Sequence, residues 1–248
     1  MKHMVSSALF AGFAAGLLCA LLQYLLVQPD IVLAERYESG ELVHFQGTPS
    51  STEMSDAMAK SMPGMDMSGQ EQGHDHGAAE ETSVAKRQAL TVLFAVLTYC
   101  GYALVLAAGV QLAEGVGAKI GKSEALLWGL AGFLAFQLMP ALGLEPSVPG
   151  TPEADLGARQ SWWAMTALAT VIGLWFLCYG TALWQRAAGL LVLAAPHIWG
   201  APKPEAYGGI VPPELAAAFT AHSLAVGLVT WLALGAIFVA LWHSEPAK

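Results

Sequence analysis

The sequence predicts an all-α integral membrane protein. Five to six transmembrane helices are expected, with one long polar loop, expected to be disordered, between the first two. Three observations predict it. Of 248 residues, 55% are hydrophobic and only 12% charged, about half the roughly 25% charge of a soluble domain. The mean hydropathy is +0.52. Apolar runs of membrane-crossing length recur along the chain, and most of the charge is gathered between the first two.

The first run, Val5 to Val27, is apolar except for Gln23 and Tyr24. It is longer than a signal-peptide core and has no small-x-small cleavage site after it, so it reads as a retained span. Gly12 and Gly16 form a small-xxx-small face for close packing of another helix. Pro29 is expected to end the helix, which makes residues 1–28 the first transmembrane helix.

Residues 29–88 form the acidic Met/His-rich loop. Eleven acids stand against four bases here, a charge of −7 out of −8 for the whole chain. Such a segment concentrates cations and argues against nucleic acid as a partner. Its centre holds Met54, Met58, Met62, Met65 and Met67, followed by His74, Asp75 and His76, without the leucine, isoleucine and phenylalanine of a core. Thioethers are soft metal ligands, and imidazole and carboxylate suit borderline and harder divalent ions. The segment therefore reads as a metal-capture loop, against the plainer reading of a polar loop with incidental methionines.

Residues 89–248 form the bundle, with spans near 90–112, 125–144, 162–180 and 213–242 and a short or re-entrant element at 184–200. The turn G-V-G-A-K-I-G-K-S at Gly115 to Ser123 mimics a phosphate-binding loop, but its glycine spacing fails and no strand precedes it. In the third span Gln137 stands three residues before Pro140, a polar side chain beside a helix breaker. Thr151-Pro152-Glu153 reads as the start of the fourth helix, with Asp155 and Arg159 four apart and able to pair. Pro196-His197 interrupts the short element, and His222 lies in the first half of the last helix. Polar groups inside membrane helices are functional candidates by default, so His197, Gln137 and His222 are the transport-path candidates. Cys19, Cys100 and Cys178 sit in apolar runs without C-x-x-C spacing and read as small buried hydrophobes. With the N-terminus in the cytoplasm, Lys119, Lys122 and Arg186 fall inside and the Met/His loop outside.

These stretches together carry a resemblance. W-G-L-A-G-F-L-A-F-Q-L-M-P-A-L-G-L-E-P (Trp128 to Pro146), D-L-G-A-R-Q-S-W-W (Asp155 to Trp163), P-H-I-W-G-A-P (Pro196 to Pro202) and P-P-E-L-A-A-A-F (Pro212 to Phe219) are similar to the CbtA family, as is A-E-R-Y-E after the first span. The likeness covers nearly the full length. It implies a multi-pass subunit of a cobalt uptake system in the bacterial inner membrane, with the long first loop extracytoplasmic. It also implies a small single-span, His-rich partner subunit (CbtB-like). The family's loop histidines correspond to His44, His74 and His76. Cobalt is then the transported substrate, with copper or nickel as alternatives. The methionine series departs from the family pattern, because thioethers favour Cu(I). No organic cofactor and no enzymatic activity are expected. The rival reading is a non-transporting metal-binding accessory or sensor protein, for copper in one version.

Overall fold

The computed structural model describes residues 2–44, 77–206 and 208–244, with the side chains of the second helix from Ala85 onward. These residues contain no strand. They form α1 (Lys2–Glu38), α2 (Gly77–Gly115), α3 (Lys122–Ala141), α4 (Leu156–Tyr179), α5 (Leu183–Trp199) and α6 (Pro213–Trp242). Five of them, all but α5, are long and apolar enough to cross a membrane, α2 doing so over Ala85–Gly115.

Small residues set how closely the helices approach. A Cβ on Gly12 would stand 2.6 Å from Cys100 Cα, and one on Gly16 only 2.5 Å from Val96 Cα. The face expected of Gly12 and Gly16 is thus the seat of α2, backbone against backbone. The same device joins α3 to α6. A Cβ on Gly129 would meet the Trp231 carbonyl oxygen at 2.4 Å, and one on Gly235 the Ala125 carbonyl oxygen at 2.4 Å. Where these pairs converge, Trp231 is 1% exposed. Its indole stacks on Phe136 (centroids 5.6 Å apart, planes 5° apart) and packs against Tyr99 and Tyr102. Each such ring pair adds about 0.5–1.5 kcal/mol beyond its buried area.

α1 does not end at Pro29. A wide π turn over Gln23–Val27 immediately precedes the proline, and the helix continues through Gln28–Glu38. Proline breaks a regular helix because its ring strikes the carbonyl one turn back; the widened turn relieves that collision. α3 repeats the arrangement, with a π turn at Leu134–Leu138 ahead of Pro140. Residues Asp30–Glu38, expected in the loop, are therefore helical. So are the residues from Gly77 to Gln88 at its other end, where A-A-E-E-T-S-V-A-K-R-Q is rich in good helix formers.

Two local expectations in the connection before α4 are corrected. The helix starts at Leu156, not at Thr151, and its cap is Asp155, whose carboxylate accepts the Ala158 N–H at 2.9 Å. With Asp155 committed to capping, Arg159 pairs with Glu153 instead. α5 is one continuous helix of 17 residues, Pro196 lying in its last turn and Gly200 (φ +92°) closing it. It packs as a hairpin on α4, where a Cβ on Gly173 would reach the Gly189 carbonyl oxygen at 2.9 Å. It thereby returns the chain to the end it came from. The Trp162 Nε1–H donates to the Pro196 carbonyl oxygen at 3.4 Å, and Trp162 is buried there rather than facing lipid.

One end of the bundle is consequently roofed by connections. Ala34 of α1, Val148 before α4 and Val211 before α6 form a small buried cluster with Tyr37 and Phe219 around it. The Thr220 hydroxyl donates to the Pro146 carbonyl oxygen at 2.9 Å. Glu35 of α1 and Arg87 of α2, which flank segment 45–76 in the chain, meet at this same end.

Candidate metal path

The two helix-breaking prolines of α1 and α3 each bring a glutamine into the bundle on a π turn. π turns concentrate at functional sites because they re-aim side chains and carbonyls. Gln23 lies on the first and Gln137 on the second. Gln137 presses against α6 at Gly227, where a Cβ would stand 1.9 Å from its Oε1. That Oε1 is buried and has no hydrogen-bond partner among the described residues.

Three cavities meet around these residues. The first, of about 1080 Å³, lies between α1, α2 and α3 and runs from Lys86 and Arg87 down to Tyr99 and Tyr102, with Gln23 and Gln137 in its wall. The second, about 760 Å³, lies beneath the roof and is bordered by Gln137, Glu145, Glu153 and Ser223. The third, about 670 Å³, is lined by Gln23, Gln28, Glu35 and Ser223. Gln137 is thus shared by the first and second, Gln23 by the first and third, and Ser223 by the second and third. The result is a polar seam through otherwise apolar helices.

His222 stands next to Ser223 on α6, and its Nδ1 lies 2.7 Å from Asp30 Oδ2 on α1. The Asp30 side chain is 13% exposed and that of His222 43%. Pairing removes the cost of burying a lone carboxylate among apolar helices. Gln137 borders the first and second cavities, and the Asp30–His222 pair ties α1 to α6 beside Ser223. His197 packs edge-on against Trp162 (centroids 5.9 Å apart), its Nε2 buried without a hydrogen-bond partner among the described residues. His44 is exposed beyond the end of α1. Nearby, Arg36 binds Glu41 at 2.9 Å and holds that carboxyl below its ordinary value. Met58, Met62, Met65, Met67, His74, Asp75 and His76 lie outside the described residues. Among the described residues, no group of three or more His, Cys, Asp and Glu side chains gathers to hold a metal.

Asp30 was missed in the sequence because Pro29 seemed to put it in a loop. The signal was there nevertheless: I-V-L-A follows it at once, too apolar for an acidic loop. Ser223 carried no signal of its own. Glu35 was legible only as one loop acid among many, whereas here it meets Arg87 of α2 at 3.1 Å and ties together the two ends of segment 29–88.

A family model described as "Probable cobalt transporter subunit (CbtA)" matches residues 1–243. No curated protein and no solved structure matches the chain.

Proposed function

Because the chain belongs to the CbtA family of probable cobalt transporter subunits, we propose that it collects cobalt(II) on segment 45–76 and passes it into the polar seam of the bundle. The observation that carries this reading is where the segment is attached. Its two flanking helices are tied by Glu35 and Arg87, and Arg87 stands at the rim of the first cavity. An ion held by His74, Asp75 and His76 is thereby tethered to the mouth of that cavity, which raises its effective concentration there without any new contact. His44, one step outside α1, extends the donor set, and Met58, Met62, Met65 and Met67 add soft ligands.

From the cavity the ion meets Gln23 and Gln137, then Ser223 and the Asp30–His222 pair. These supply amide, hydroxyl, carboxylate and imidazole donors in place of lost water. His197 stands apart and orders the α4–α5 hairpin. Lys86 and Arg87 at the cavity rim disfavour cations, so the anionic segment has a second task, offsetting that charge. The reading places the protein in the bacterial inner membrane, the segment outside the cytoplasm and a small single-span, His-rich subunit as partner.

The test is cobalt accumulation at limiting metal in cells carrying this chain with its genomic neighbours. Replacing His74 and His76 together by alanine is expected to lower accumulation severalfold; unchanged uptake removes the segment from the mechanism. The five methionines favour copper, and the same cells measured with copper decide which metal the segment prefers. Vesicles holding the purified chain with and without its partner separate transport from mere binding.

A further inference from the structure

Away from the roof, the bundle is open on one side. The backbone of α4 draws close to α3 along Leu134–Ala141, the half beneath the roof, where Phe136 meets Trp163 (ring centroids 6.3 Å apart). Over the rest of its length α4 packs on α5, and between it and α2 and α3 lies an apolar cleft of about 450 Å³. Trp128 and Ala131 of α3 form one wall; Leu174, Trp175 and Tyr179 of α4 form the other. Gly109 of α2 makes room for the Trp128 ring, since a Cβ there would stand 2.9 Å from its Cζ3. The cleft begins at Lys119 and Glu124 and ends on Phe136 and Trp231, a rise of about 18 Å along α3. That is close to the depth of one leaflet, half of a hydrocarbon layer roughly 30 Å thick. Lys119 and Glu124 are the two charged side chains that border it. Glu124 is already committed: its carboxylate accepts the Gly121 N–H at 2.8 Å and the Ser123 hydroxyl at 3.0 Å. Lys119 is exposed and pairs with no acid among the described residues.

We propose that this cleft binds an anionic phospholipid, one acyl chain lying along α3 and the phosphate against Lys119. Size decides against a partner's helix. A helix about 10 Å across fills about 420 Å³ with each 5.4 Å turn, so the cleft admits about one turn of it, whereas an extended acyl chain is narrow enough to run the whole length. Charge decides the headgroup. Basic pockets between membrane helices hold anionic lipid headgroups, and Lys119 is the uncommitted charge at the mouth. Trp175 and Tyr179, packed ring on ring at 4.7 Å near that mouth, are of the types that settle at headgroup level. The lipid braces the end of the α4–α5 hairpin that the other helices leave without backbone packing. None of Gln23, Gln137, Ser223, Asp30 and His222 lines this cleft, so the proposal depends on the chain spanning a membrane and not on the metal path.

The full-length protein, purified in detergent without added metal, is mixed with phosphatidylglycerol or phosphatidylcholine, and the lipid it retains is read by native mass spectrometry. The native chain is expected to favour phosphatidylglycerol about fivefold, the worth of one lysine beside an anionic lipid. Lys119→Ala, a change at an exposed position between two helices, is expected to retain both lipids equally. The place of binding is read separately at Cys178, an exposed thiol in the cleft wall. In the Cys100→Ser variant Cys178 is the accessible thiol, because Cys19 is only 4% exposed. Phosphatidylglycerol should slow its labelling by a maleimide severalfold, and phosphatidylcholine much less. Equal retention of the two lipids by the native chain, a preference that survives in Lys119→Ala, or labelling indifferent to phosphatidylglycerol each overturns the proposal. A dimer that carries no lipid overturns it in favour of a second copy of the chain. Metal enters none of these measurements, so their failure leaves the transport reading standing.

Discussion

Replacing Gly227 with alanine should silence the seam while leaving the fold intact. The new Cβ would stand 1.9 Å from Gln137 Oε1, where ordinary contact begins near 3.4 Å. The amide must therefore retreat by about 1.5 Å, and it is the far end of a flexible side chain. Moving it costs on the order of 0.5–1.5 kcal/mol in rotamer strain. Alanine in place of glycine within a helix recovers about 0.5–1 kcal/mol. The net change in stability is close to zero, yet Gln137 is driven out of the wall that two cavities share. Gly235→Ala is the contrasting control. There the obstacle is the Ala125 carbonyl oxygen at 2.4 Å, a backbone atom that cannot swing aside, and overpacking of this kind costs about 1–3 kcal/mol. The assay pairs thermal unfolding of the purified protein with cobalt accumulation in cells. Gly227→Ala should unfold near the native temperature and accumulate several times less cobalt, whereas Gly235→Ala should unfold earlier. Native accumulation in Gly227→Ala would take Gln137 off the path, and equal destabilisation by both substitutions would refute the distinction between yielding and unyielding neighbours.

Three further outcomes are expected. A double-mutant cycle of Asp30→Asn and His222→Gln should show a coupling of about 1–2 kcal/mol in unfolding free energy, between the values for exposed and fully buried pairs because His222 is 43% exposed; strictly additive single effects would deny the contact. Gly16→Val should separate α1 from α2 and abolish a single well-behaved species in gel filtration, since its branches point at Val96 backbone atoms already 2.5 Å from a lone Cβ; a native elution profile would contradict the packing. Asp155→Ala should cost about 1 kcal/mol through loss of the α4 cap, read as an earlier unfolding midpoint, while Thr151→Ala, at the position favoured by the sequence, should change little.

What the sequence revealed followed from strong, local signals. Membrane character came from charge scarcity, and the seat of α2 from two glycines four apart. The irregular turn that carries Gln137 was signalled by its neighbour Pro140. Errors arose where two rules competed. Pro29 is a helix breaker by local chemistry, but a π turn absorbed it, and with the helix prolonged Asp30 moved from loop to bundle. Thr151-Pro152 offered a good cap, but the side chain that caps α4 is that of Asp155. The pairing of Asp30 with His222 spans 192 residues; no periodicity or propensity reports on such a distance. Cys19, read as a small hydrophobe from its apolar run, is buried in the core.

The brevity of α5 has a consequence for the lipid around it. Its 17 residues rise about 25 Å, some 5 Å less than the roughly 30 Å of a typical hydrocarbon layer. Trp184 and Trp199, 68% and 85% exposed at its two ends, are the residue type that settles among headgroups. If α5 lies across the bilayer, keeping both rings at the water boundary requires the lipid along this flank to pinch inward, at a fraction of a kcal/mol per ångström. Thin membranes should therefore suit the protein better than thick ones, and the acyl-chain length chosen for vesicles will itself tune how well it works.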